Sequence, residues 1–172
     1  DARKTLAPEF TFPIALTRGF AKLPDRDTYA PEVGFVGGFP VARDPKSGRA
    51  WMTHCYAMVG AGRDNAADSG NGAELYAVIG NAPRLLDRNV TLVGRVIQGI
   101  DLLSSLRRGT KPPLAFYEKP EDRTPIRKVR FASAEAPGER FEALRTESAT
   151  FRALVEMRRQ RKDDWYKEPA GA

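Results

Sequence analysis

The sequence is poor in the residues on which most enzyme chemistry is built. Its 172 residues include one cysteine, Cys55, and one histidine, His54. A single cysteine excludes an internal disulfide. One histidine, no cysteine pair and no acidic cluster at ligand spacing leave no metal centre and no nucleophilic triad to read. No run of 18 apolar residues is present, so no membrane-spanning helix is expected. The opening "DARKTLAPEF" has no apolar core of a secretory signal and no initiator Met, and Asp1 is not expected to be the natural start. The loop "GAGRDNAADSGNGAE" is rich in glycine, yet it holds no lysine and does not match G-x-x-x-x-G-K-[ST]. A phosphate loop is thereby excluded. No helical pattern follows "GAGRDN", which argues against a dinucleotide fingerprint.

What remains is ordinary globular composition, 41% hydrophobic and 29% charged. The length allows one domain with a sizeable core and an appendage. The formal charge is +6, and residues 84–130 carry eleven basic against five acidic side chains. The basic runs "RRGTKPP" and "RTPIRKVR" lie on different elements with few aromatics nearby. A nucleic-acid surface clusters the two, so no nucleic-acid partner is expected. The basic residues read as a solvated face, weakly attractive to acidic partners.

Along the chain, residues 1–50 are broken by Pro, Gly and Asp and read as loops with short extended pieces. "WMTHCYAMV" (51–59) reads as one buried strand, "ELYAVIG" as a second and "VTLVGRV" as a third, with the turn "NAPRLLDRN" between the last two. The period then changes: Ile100, Leu103 and Leu106 predict a short helix stopped at Gly109. "IRKVRFA" (126–132) alternates imperfectly and reads as a half-exposed strand. Phe151, Leu154 and Val155 predict a helix near 148–162, its basic end complementing the dipole. Two regions follow, 1–137 and a helical extension 138–172. Cys55 reads as a small core residue and His54 as a satisfied, partly buried side chain. Asp64, Asp68 and Glu74 read as capping and solvated acids rather than a paired-carboxylate site.

The segments "AMVGAG", "RDNAADSGN", "GAELYAVI", "RLLDRN", "VTLVGRV" and "IQGIDLLSSL" stand in an order and spacing that resemble the second half of cyclophilin-type peptidyl-prolyl isomerases. The likeness covers about sixty residues, 51–109, and "VGRVIQGIDLLSSL" is its most specific part. It implies a mainly β fold: a cyclophilin-like antiparallel β-barrel, only its C-terminal strands present, with a short helix and a C-terminal helix. Residues 126–131 would be the last barrel strand. The family's first four strands, its first helix and its Phe-His-Arg-Val-Ile-Pro-like segment, which carries the catalytic arginine, have no counterparts here.

The resemblance implies a shallow apolar groove for proline. Val59 and Gly60 would form its backbone edge, Gly60 standing where the family has Asn. Glu74 takes the family's Gln position, Tyr76 its pocket-floor Phe, Leu85 its Trp and Leu86 the following Leu. Val90 falls where many members have His or Tyr. The implied activity is rotation of X–Pro bonds, with Pro-containing polypeptides as partners and no cofactor. No catalytic residue is identified, since none of Arg63, Arg88 and Arg95 occupies the catalytic position. The alternative is a non-catalytic module that holds Pro-containing segments. An open barrel would leave unpaired edges and apolar faces, which invite self-association.

Overall fold

The computed structural model describes residues 4–134 and 140–168. The described residues form two antiparallel sheets and two α-helices. The larger sheet has the order β1-β5-β4-β3-β2, built from Phe12–Pro13 (β1), Ala21–Lys22 (β2), Glu32–Val36 (β3), Phe39–Asp44 (β4) and Arg49–Met52 (β5). The smaller has the order β7-β6-β8, from Met58–Ala61 (β6), Leu75–Ala77 (β7) and Leu92–Arg95 (β8). The helices are Ile100–Ser105 (α1) and Ala149–Arg159 (α2). The fold is mainly β, with antiparallel strands and few helices, as the sequence predicts. No closed ring of strands forms among the described residues.

Residues 1–50 are more ordered than their composition suggests. Pro13 lies in the edge strand β1, and Pro40 is the second residue of β4, beside the hairpin turn, where a missing N–H is tolerated. Gly37 and Gly38 make that turn with φ of 54° and 88°, the geometry that tight hairpins demand. The expected single strand 51–59 is in fact two. Its first residues complete β5 and its last begin β6, in different sheets. The chain turns between them, with Ala57 in the left-handed region at φ 72° and held by hydrogen bonds to Val78 and Val96. The apolar run gave no sign of this break because both halves are buried.

The expected strand at 126–131 does not form. These residues take no regular structure, and Ile126, Val129 and Phe131 are 84%, 84% and 83% exposed. Their spacing departs from the period of two, and no neighbouring strand supplies a ladder.

Two compact units result. One spans the residues to Ile97 and those from Ala143 onward; the other is Gln98–Glu142. The expected boundary at 137/138 lies outside the described residues. Within the first unit, Phe39 and Met52 of the larger sheet pack on the buried Met58, Val78 and Leu92 of the smaller. Ala30, Ala42 and Trp51 form a second cluster. Helix α2 is capped by Ser148, whose Oγ accepts from the Phe151 N–H at 3.0 Å. Its Phe151 meets Phe35 edge to face, and Arg159 pairs with Asp25. Thr146 and Glu147, just before it, accept hydrogen bonds from the N–H groups of Gly38 and Gly37. The second unit holds α1, a bridge between Lys111 and Phe116, and an ion pair of Arg107 with Asp122 at 2.8 Å.

Candidate functional site

The candidate site begins with the pairing of β6 and β7. Gly60 stands opposite Tyr76 and Val59 opposite Ala77. Cross-strand partners share a face, so the Tyr76 ring lies directly over the Gly60 backbone. A Cβ built at Gly60 would collide with Cε1, Cζ and the hydroxyl of Tyr76. Only glycine leaves room for that ring. Glu74 sits one ladder step further, beside Gly62, and is exposed. Gly60, Glu74 and Tyr76 therefore share one face, while Val59 contributes its backbone.

Leu85 and Leu86 lie on the 3-10 turn Ala82–Leu86. Leu85 is 64% exposed and Leu86 is half-buried. Val90, also half-buried, precedes β8. Tyr76 is half-buried, its inner edge packed against the Met58, Val78 and Leu92 cluster. Two hollows described in this unit lie elsewhere. One is lined by Ala61, Leu75 and Val93 with Leu6 to Phe10; the other by Met58, Arg84 and Arg95 with residues of β3 and β4.

A buried polar chain holds these elements in register. The Tyr76 hydroxyl and His54 Nε2 share a 2.9 Å hydrogen bond. His54 Nδ1 lies 3.1 Å from Asp87 Oδ1, which also accepts from the His54 backbone N–H at 2.8 Å. A carboxylate only accepts, so Nδ1 carries the proton, and in the neutral imidazole Nε2 accepts from Tyr76. Arg84 donates from Nε to Asp87 at 2.7 Å and from both terminal nitrogens to Asp27, at 3.0 Å each. The chain thus ties β7, the 53–57 turn, the 82–86 turn and the loop at Asp27 together.

The electrostatics follow. Burial pushes the Tyr76 phenol up to about 12. Burial also opposes ionisation of Asp87, but hydrogen bonds from His54 and Arg84 outweigh it and hold the carboxyl below the usual range. Desolvation works against the Arg84 charge, yet Asp27 and Asp87 raise its pKa further. Burial raises the Cys55 thiol, the setting of an inert cysteine rather than a nucleophile.

His54 is a satisfied histidine, as expected, but its side chain is fully rather than partly buried. Arg84, Asp87 and Asp27 escaped the sequence reading. Asp27 lies 57 residues from Arg84, and nothing in local pattern links them. The arginines nearest in sequence to the expected groove are turned to other partners. Arg63 donates to the carbonyls of Asn89, Asp64 and Asn65. Arg88 lies over the Trp51 ring and Arg95 over Phe39. No group of three metal-ligating side chains occurs among the described residues, and no helix there is long and apolar enough to cross a membrane.

No protein-family model and no curated protein sequence matches the chain. Among solved structures, it is similar to the cyclophilin AquaCyp293 from Hirschia baltica, with 25% sequence identity and a TM-score of 0.50. The likeness covers 63% of this chain and 44% of that one, so the chain spans less than half of that cyclophilin's length. The fold is cyclophilin-like at this level.

Proposed function

We propose, from this cyclophilin-like fold, that the chain is a unit of the peptidyl-prolyl isomerase class whose β6–β7 face holds Pro-containing polypeptide segments. The observation that supports it most is the placement of Tyr76 over Gly60, which makes a flat, partly apolar floor on two paired strands. The backbone of Val59 and Gly60 forms one edge. Leu86, Val90 and the exposed Leu85 supply apolar walls, and Glu74 the polar rim.

The chemistry asked of such a floor is modest. Rotation about an X–Pro bond is slow because the amide resists twisting, with a barrier of roughly 18–20 kcal/mol. No bond is made or broken, so the protein need only favour the twisted amide over its planar forms. An apolar floor grips the proline ring, and a guanidinium donor near the prolyl nitrogen would weaken the resonance.

A second reading, a non-catalytic binding module, is favoured by the commitments of the arginines. Arg84 is neutralised by two carboxylates, and Arg63 is spent on main-chain carbonyls. The experiment is a calorimetric titration of the full chain with a short Ala-Ala-Pro-Phe peptide and its Ala-Ala-Ala-Phe control. Binding that requires proline, and that weakens roughly tenfold in Leu86→Ala through lost apolar burial, supports the groove. Equal binding of both peptides, or none, overturns it. Faster cis–trans exchange of the bound peptide favours the isomerase; binding without acceleration favours the module.

A further inference from the structure

Five arginines are half-buried among the described residues: Arg43, Arg63, Arg84, Arg95 and Arg159. A guanidinium keeps its charge and its N–H donors at any ordinary pH, so drawing it partly out of water calls for acceptors. Four of the five have them. Arg43 donates to Glu32 and Thr17, Arg63 to main-chain carbonyls, Arg84 to Asp27 and Asp87, and Arg159 to Asp25 and Glu156. Arg95 is the exception. Among the described residues it donates to no protein oxygen and pairs with no carboxylate. Its guanidinium carbon lies 5.9 Å from the centre of the Phe39 ring, with Nη2 alongside Gly38.

The unused donors line a hollow. In β8, Arg95 stands opposite the buried Met58 of β6, on the face that meets the larger sheet. Both residues line a space of about 400 Å³, the size of a small-molecule site. Leu23, Val33, Phe35 and Val41 line it from the side of the larger sheet, and Met58 and Val96 from the smaller. The other charges there are already committed. Asp27 lines the hollow, but both of its oxygens accept from Arg84, and Oδ1 also accepts from the Tyr29 N–H. Asp87, which does not line it, takes the Arg84 Nε–H. Asp27, Arg84 and Asp87 together sum to one negative charge, which disfavours a dianion beside them. A guanidinium meets a carboxylate with two parallel hydrogen bonds. A monoanion with an apolar body therefore complements both Arg95 and the walls.

We propose that this hollow between the two sheets binds a small apolar monocarboxylic acid. The carboxylate takes the Arg95 guanidinium, and the hydrocarbon body lies against Phe35, Val41 and Met58. Burial of that body supplies most of the affinity, and the ion pair selects the acid over a neutral analogue. None of Tyr76, Leu86 and Val90 lines the hollow, so this proposal and the prolyl floor stand or fall separately.

The test is calorimetric titration of the full chain with phenylbutyrate and with its uncharged amide, phenylbutyramide. The acid is expected to bind, and the amide to bind about tenfold more weakly. Arg95→Gln, folded by circular dichroism, is expected to bring the acid down to the level of the amide, while Arg95→Lys retains a preference for the acid. The place of binding is read at Cys55, the chain's one cysteine, which lines the same hollow. Its alkylation by iodoacetamide is expected to slow several-fold in saturating phenylbutyrate. The comparison of acid with amide and the protection of Cys55 both use the parent chain, so they decide the matter even if Arg95→Gln does not fold. No binding at millimolar phenylbutyrate, equal binding of acid and amide, affinity unchanged in a folded Arg95→Gln, or Cys55 alkylated at the same rate with and without the acid overturns the proposal.

Discussion

Tyr76, His54 and Asp87 show how much of this small unit depends on single buried polar groups. His54 is satisfied on both ring nitrogens only while Tyr76 and Asp87 are present. Tyr76→Phe leaves Nε2 buried without a donor and is expected to lower stability by about 1–3 kcal/mol in urea denaturation. Asp87→Ala is expected to cost more than Tyr76→Phe, because it leaves two His54 donors and the Arg84 Nε–H without their acceptor at once, while Asp27 still pairs the Arg84 guanidinium. The pH dependence has a definite sign at each end. The Asp87 carboxyl is depressed in the folded state, so its contribution is complete above its unfolded pKa and is lost as pH falls through the folded value. The Tyr76 phenol is raised to about 12, so its contribution is complete below its unfolded pKa near 10 and is lost as pH rises toward 12. Ultraviolet titration should show one phenol ionising at about pH 12, absent in Tyr76→Phe.

At the scale of the elements, two glycines set the approach of neighbouring strands. Gly60 leaves space for the Tyr76 ring, and a Cβ at Gly34 would run into the Ala21 carbonyl of β2. Gly60→Ala is expected to displace Tyr76, break its bond to His54 and abolish prolyl-peptide binding. Gly34→Ala is expected to free β2 while leaving the smaller sheet intact. Amide hydrogen exchange distinguishes the two. Much of the smaller sheet was legible in the sequence, because Leu75–Ala77 and Leu92–Arg95 are short apolar runs bounded by clear turns. Helix α2 was legible from Phe151 and Val155 at helical spacing, the face that the structure half-buries. The larger sheet was not, since Pro13 and Pro40 mimic loop signals, its strands are short, and the edge pairing of β1 with β5 joins residues far apart in sequence. The strand expected at 126–131 failed for the opposite reason: local composition favoured a strand, and no partner supplied the other half of the ladder. At the site, the resemblance named Gly60 and Tyr76, while the Arg84–Asp27 link had no local signature.

The molecule as a whole couples its C-terminal helix to the larger sheet through few contacts. Phe151 on Phe35, Arg159 on Asp25 and the Thr146–Gly38 hydrogen bond fasten residues 146–159 to the β3–β4 hairpin and the loop before it. Phe151→Ala removes the one large apolar anchor among these. It is expected to raise hydrogen exchange across α2 and the Gly37–Gly38 turn, with little change at β6–β7. The cyclophilin-like likeness covers 63% of the chain, and the proposed prolyl floor lies on the β6–β7 pairing rather than on this fastening. The most direct measurement of the central claim is nuclear magnetic resonance of the labelled chain titrated with Ala-Ala-Pro-Phe, against its proline-free control. Proline-dependent shifts at Val59, Gly60, Tyr76 and Leu86 are predicted. Shifts confined to Leu75 and Val93 on the opposite face, or the same shifts with both peptides, would contradict it.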